Sequence, residues 1–267
     1  MLMKQKLGRS EMDYLNISGK KYLVFGASSG IGRQTAIQLS ELGARVVLVG
    51  RNEERLHQTY NMLIGNGHSI LVCDVSNFSA AQLVVKNSVK IDGIKLDGCV
   101  FSAGIYAMLP VGVVTEDKLD KLFATNIFSL IAIVKSFSSK RISNDGASFV
   151  SVSSRAANLP DKSQGVYGAT KAAINSYTFA AAKELSNRLI RFNAVCPEAV
   201  DTEMGAGFKH NTTDEYKKKI YPLGMLESKD VADAIIFLLS DMSKKITGQS
   251  IWLSAGNDGG SIENSIF

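Results

Sequence analysis

Between Lys21 and Arg51 the chain runs KYLVFGASSGIGRQTAIQLSELGARVVLVGR, an apolar run, a Gly/Ser turn, an amphipathic stretch and a second apolar run. That order predicts a βαβ unit and commits the chain to a parallel sheet. Gly26, Gly30 and Gly32 fall where the strand turns tightly into the helix. With no side chains at these points, the backbone of the turn, which also holds Ser28, Ser29 and Ile31, can approach a pyrophosphate at the positive end of the helix. A Gly-rich turn alone is weak evidence. Placed between strand and helix as Gly-x-x-x-Gly-x-Gly, it is a strong sign of a dinucleotide site.

The alternation continues through SILVCDV from Ser69, a helical stretch from Ser79 and LDGCVFSAG from Leu96, and apolar runs recur at FVSVSS, RFNAVC and QSIWLS. Strand ends in such sheets collect ligands. Asp74 and Val75 are placed to meet an adenine, and Ser102, Ala103 and Gly104 to let a ribose or nicotinamide come close. NAD binding calls for an acidic residue at the end of the second strand, to hold the ribose 2′-hydroxyl. The chain has Arg51 there, after Gly50. An arginine pairs with a 2′-phosphate that a carboxylate would repel, so NADP(H) is favoured over NAD(H), with Arg33 near enough to assist.

A chain of 267 residues, 45% hydrophobic and without a compositional break, fits one α/β domain over residues 19–267, preceded by an extension over 1–18. The net charge of +5 comes from scattered lysines and arginines and does not mark a nucleic-acid surface. Cys73, Cys99 and Cys196 form no Cys-x-x-Cys pair and read as buried thiols, while His57, His68 and His210 lack metal-ligand spacing, so no metal is expected. Residues 1–18 lack the apolar core of a secretion signal, and the longest apolar runs are too short to span a bilayer. No membrane is expected as a partner, and the expected location is cytoplasmic.

Tyr167 and Lys171 lie four apart in YGATKAAINSYTFAAAKEL, an alanine-rich stretch without proline in which a helix stacks them on one face. A free tyrosine titrates near pKa ~10. An ammonium about 4 Å away at an effective dielectric of about 20 favours phenolate by roughly 4 kcal/mol, before desolvation opposes it. The pair therefore reads as a general acid/base.

With these residues assembled, the chain resembles the short-chain dehydrogenase/reductase family, simple single-domain type, and in particular its 3-oxoacyl-carrier-protein reductases. The resemblance runs from about Ile17 to Gly256, through GASSGIG, Asn126 in TNIFSLIAIV, Ser154 thirteen residues before Tyr167, YGATK, RFNAVCPEAVDTEM and ITGQSIWLSAG. It implies a Rossmann-type, doubly wound parallel sheet of about seven strands with helices on both faces. It also implies carbonyl reduction, or the reverse alcohol oxidation. Tyr167 then moves the proton, Lys171 tunes it and holds the nicotinamide ribose, Ser154 aligns the substrate oxygen and Asn126 holds a relay water. Pro197, Val200 and Thr202 meet the nicotinamide. A homo-oligomer, tetramer or dimer, is implied too.

Departures from the family pattern fall at Phe25, at Phe101-Ser102, at Glu198 in place of a glycine and at Ser254-Ala255-Gly256. Glu198 is expected to limit positive φ and to bring a carboxylate near the nicotinamide. Residues 203–222, with Met204, Phe208, Tyr216 and Tyr221, read as a substrate lid. Ile105, Tyr106, Met108, Leu109 and Leu159 suggest a mostly apolar pocket for a small carbonyl or alcohol substrate. An acyl-carrier-bound substrate is also open, because Arg188 and the Lys140-Arg141 pair offer cations to an acidic partner. Two rivals stand beside the reductase: a non-catalytic NADP-binding regulatory or scaffold protein, and a sugar-nucleotide epimerase. The glycine spacing and the lack of a substantial C-terminal substrate domain count against the epimerase. The narrow Tyr-to-Lys spacing counts against an enoyl reductase.

Overall fold

The computed structural model of the chain describes residues 13–202 and 213–257. Seven strands form one parallel sheet: β1 (Lys21–Phe25), β2 (Arg45–Gly50), β3 (Ser69–Val72), β4 (Leu96–Phe101), β5 (Ser143–Val152), β6 (Arg191–Pro197) and β9 (Ser250–Leu253), in the order β3-β2-β1-β4-β5-β6-β9. A short second pair joins β7 (Val200–Asp201) to β8 (Leu226–Glu227). The helices are α1 (Gly30–Glu41), α2 (Glu53–Tyr60), α3 (Phe78–Lys90), α4 (Glu116–Phe123), α5 (Ser129–Phe137), α6 (Gly165–Leu185), α7 (Asp214–Ile220) and α8 (Ser228–Leu239).

Every residue of β1 is buried, as a central parallel strand covered on both faces must be. Successive side chains serve opposite cores. Leu23 and Phe25 join Val47, Val49, Cys99, Phe101 and Phe149 beneath α3, α5 and α6. Tyr22 and Val24 join Val46, Leu48, Val100 and Val150 beneath α1 and α8. Of the expected N-terminal extension, residues 1–12 lie outside the described residues. Ile17 is 2% exposed and belongs to the second core, so the packed body begins before residue 19.

The order of the sheet places the site. From β1 the chain winds outward through β2 to β3, then crosses back to lay β4 on the other side of β1. The two halves therefore part between the ends of β1 and β4, where an open α/β sheet leaves a crevice. Phe25 and Phe101 are register partners there, fully buried, with ring centroids 6.4 Å apart. Two of the departures from the family pattern are thus one aromatic contact. The glycine turn is tied down by other means: Gly26 and Ala27 N–H groups both donate to Val49 O, and the Thr59 hydroxyl donates to Ala27 O at 2.9 Å.

On the opposite flank, Arg191 of β6 fixes the end of α8. Its guanidinium donates to Leu238 O, Leu239 O, Ser240 O and the Ser243 hydroxyl at 2.6–3.2 Å. These are the carbonyls a helix C-terminus leaves unpaired. Leu238 O and Ser240 O also accept from Ser148 and Ser243 hydroxyls, so Arg191→Leu takes the side-chain donor from Leu239 O and one donor from each of the others, and is expected to lower unfolding free energy by about 2 kcal/mol in urea titrations.

Candidate active site

At the glycine turn, Gly26 has φ +76°, and a Cβ there would lie 2.8 Å from the backbone of Ser102 and Ala103. A Cβ on Gly32 would lie 2.3 Å from Gly26 O, so α1 can seat this closely on the turn only without one. Ser29 is the extended N-cap of the twelve-residue α1 and makes no side-chain cap bond, leaving the first N–H groups of the helix for an anion. Across from it, Thr202 Cγ2 would stand 3.4 Å from a Cβ on Gly30. The glycines thus keep open a cradle between the helix end and the segment after β7, and these residues fit a dinucleotide.

Arg33 donates from Nε to Thr59 Oγ1 at 3.0 Å and from its NH2 to Ser28 O at 2.5 Å, buttressing the turn. No sequence pattern marks this Thr59 anchor, since the two residues are brought together only by packing α1 on α2. Arg51 follows β2 and is exposed, and Asn52 beside it caps α2 by accepting from Arg55 N. At the adjacent strand end, Val75 is buried and the Asp74 carboxylate accepts from Ser76 N and Oγ within its own turn. Cys73 N donates to Gly50 O, which holds these two strand ends side by side.

The four candidate catalytic residues converge from three elements. Ser154 caps the turn after β5, its Oγ accepting from Ala156 N at 3.1 Å, and its hydroxyl stands near enough to the Tyr167 phenol to favour the phenolate. Tyr167 and Lys171 share one face of the 21-residue α6 as expected, with Nζ 5.6 Å from the ring centroid. Lys171 Nζ donates to Val152 O at 3.0 Å. Asn126 is fully buried in a π-helical segment, Ala124–Phe128, between α4 and α5. The sequence predicts a plain helix there. The wider turn carries the side chain to the strand ends, a common use of π-bulges at functional sites. Asn126 Nδ2 donates to Ile105 O and Thr170 Oγ1, and its Oδ1 accepts from Ile105 N at 2.8 Å. Only a lone pair on Oδ1 is left for the expected water. Gly104 is flanked by both groups: a Cβ there would lie 3.4 Å from Asn126 Oδ1 and 3.5 Å from Lys171 Nζ.

The electrostatics correct one expectation. Burial pushes the Tyr167 phenol up to about 12, opposed by the Ser154 hydrogen bond and reinforced by Tyr106. Burial also brings Lys171 down to about 8, with Cys196 opposing. Lys171 does not make Tyr167 acidic in this state, because both groups are desolvated and the ammonium is aimed at Val152 O.

Glu198 corrects another. Its φ is not positive, so the position does not call for glycine. Its carboxylate is paired with Arg155, Nε to Oε1 at 3.0 Å, and is not free to face a nicotinamide. Pro197 is buried at the end of β6, Val200 is buried in β7, and Thr202 Oγ1 donates to Val200 O at 3.4 Å. Of the expected lid, residues 203–212, with Met204 and Phe208, lie outside the described residues, while Tyr221 is buried. Arg188 is buried and bound to Asp145, Ser138 O and Ser143, so it is not available to an acidic partner.

At the mouth, Tyr106 packs edge-on against Tyr167 with centroids 4.9 Å apart, and its hydroxyl accepts from Gln164 Nε2 at 3.2 Å. Met108 and Leu159 are exposed, and Leu109 is buried.

A lysine bound as a cation more weakly in the fold than in the unfolded chain makes stability rise with pH between the two pKa values. For Lys171 that window runs from about 8 to 10.5 and is worth up to about 3 kcal/mol. Lys171→Met removes this dependence. Its stability relative to wild type is expected to fall by that order between pH 7 and pH 10, as read by urea unfolding of the cofactor-free protein.

Comparison with known proteins agrees with this geometry. The family model described as Enoyl-(Acyl carrier protein) reductase matches residues 26–258. An L-xylulose reductase of Caenorhabditis elegans is 32% identical over 250 residues, 90% of this chain and 96% of the relative. Carbonyl reductase family member 4 of Danio rerio is 35% identical over 236 residues, 88% and 96% of the two chains. Among solved structures, a short chain dehydrogenase from Burkholderia cenocepacia J2315 in complex with NADP superposes with a TM-score of 0.80 at 25% identity, covering 90% of this chain and 98% of that one. With the glycine cradle at the β1/β4 crevice and Ser154, Tyr167 and Lys171 gathered beside it, the chain belongs to the short-chain dehydrogenase/reductase family of nicotinamide-dependent oxidoreductases.

Proposed function

We propose that this chain is an NADP(H)-dependent carbonyl reductase, able to run in reverse as an alcohol dehydrogenase, with Asn126, Ser154, Tyr167 and Lys171 as its catalytic residues. The observation that carries the reading is the Ser154–Tyr167 hydroxyl pair beside Lys171 and Gly104, next to a cradle kept open by Gly26, Gly30 and Gly32. When bound, the nicotinamide supplies or accepts the hydride.

A phenol held at about 12 is protonated at neutral pH, which suits it to give its proton to a carbonyl oxygen. Ser154, already in contact with that phenol, donates to the same oxygen and stabilises the charge that develops there. Lys171, at about 8, exchanges protons near neutrality and replaces the one lost by Tyr167, with Asn126 Oδ1 accepting from an intervening water. Backbone at Gly26–Gly32 would hold the pyrophosphate, Asp74 and Val75 would meet the adenine, and Pro197, Val200 and Thr202 would meet the nicotinamide.

Arg51 is exposed at the end of β2 with no carboxylate in its place, which favours a 2′-phosphate. Arg155 spends its charge on Glu198 and Asp161, and Tyr106, Met108 and Leu159 line the mouth, which favours an uncharged, apolar-flanked carbonyl. An acyl-carrier-bound substrate shares its carrier with the one in the description of the matching family model, Enoyl-(Acyl carrier protein) reductase. The reading includes one catalytic domain per chain in a cytoplasmic homo-oligomer, since Phe128, Phe179 and Trp252 are 41–52% exposed and would be covered by subunit packing. A regulatory protein would need the departures at Phe25, Phe101 and Glu198 to disable the cradle. Their aromatic contact and ion pair give each a packing role that leaves the cradle intact.

Tyr167→Phe is expected to lower turnover of a small diketone with NADPH by about 10²–10⁴-fold. Unchanged turnover sinks the assignment. Arg51→Asp is expected to move the NADPH-to-NADH preference in kcat/KM by about tenfold or more towards NADH.

A further inference from the structure

Arg155 and Glu198 stand on the two loops flanking the site, one residue past Ser154 and one past Pro197. Their side chains are 11% and 5% exposed, and Arg155 Nε lies 3.0 Å from Glu198 Oε1. Both atoms are buried and meet off the hydrogen-bond axis. The rest of the guanidinium donates to Leu159 O at 2.9 Å and lies 3.4 Å from each oxygen of Asp161. Glu198 is fixed in turn: the Trp252 indole lies beside its carboxylate and favours the charged form, and its own backbone N–H donates to Leu253 O at 3.1 Å.

A buried ion pair without an aligned hydrogen bond adds little stability over well-packed apolar side chains, because desolvation offsets the attraction. What it adds is direction. The short turn Arg155–Ala157 begins at Ser154, and the guanidinium binds that turn's far end at Leu159 and Asp161 while Glu198 ties it to β6 and β9. Removing the carboxylate frees the turn to rotate, and Ser154 rotates with it. We infer that Glu198 is a positioning residue that acts through Arg155 to hold the Ser154 hydroxyl beside the Tyr167 phenol.

The catalytic consequence rests on the reductase reading. The conformational one does not, and the experiment separates them. Three proteins are compared: wild type, Glu198→Gln, and the double variant Arg155→Met with Glu198→Met, which replaces the pair by apolar side chains of similar reach. For each, Tm, kcat and KM for NADPH with a small diketone, and amide exchange over 154–161 are measured. Glu198→Gln is expected to lower kcat about tenfold, to change the KM for NADPH less than about twofold, and to speed exchange over 154–161. The double variant is expected to match or exceed the Tm of Glu198→Gln while kcat stays low and exchange stays fast. Recovery of kcat in the double variant, or a KM for NADPH that moves as much as kcat, overturns the inference. If wild type reduces no ketone, the reductase reading fails, and exchange alone decides: unchanged exchange over 154–161 in both variants overturns the positioning role.

Discussion

Two close backbone approaches hold the nucleotide half of the structure together: Gly26 against Ser102 and Ala103, and Gly32 against the Gly26 carbonyl. The first lets the end of β1 touch the end of β4 at the crevice, and the second seats α1 on the turn. A methyl group at either place forces the backbones apart. The distances that would result, 2.8 Å and 2.3 Å, are too short for any side-chain adjustment to absorb, because the opposing atoms are main chain. The aromatic contact of Phe25 with Phe101 lies directly beneath and fills the same junction from the core side.

Burial, more than charge pairing, governs the chemistry available beside that junction. Tyr167 and Lys171 are pushed in opposite directions by the same loss of water, one to about 12 and the other to about 8. Helical spacing places the ammonium and the phenol correctly, but the tyrosine shifts the opposite way from a solvated pair because both groups have lost their water. The Ser154 hydroxyl, reaching Tyr167 from a different loop, is the group that favours phenolate here.

The same contrast separates the ion pairs. Arg188 looks exposed and cationic in sequence, yet the fold spends it on Asp145 and two backbone carbonyls. Glu198 looks like a stray carboxylate near a cofactor, yet it meets Arg155 across 43 residues of chain. Nothing periodic or local marks such partners. They come together only when β5, β6 and β9 lie side by side.

Local rules were therefore enough for the parallel α/β architecture, the glycine turn and the spacing that puts Tyr167 and Lys171 on one helical face. Each of these depends on residues within a few turns or one strand of each other, where period and sterics act directly. The strand order, the π-helical segment that delivers Asn126, the Arg33–Thr59 buttress and the Arg155–Glu198 pair were decided by tertiary structure. So were the pKa values, because desolvation and long-range contacts depend on which segments the fold stacks over a residue, a property of the packed chain as a whole.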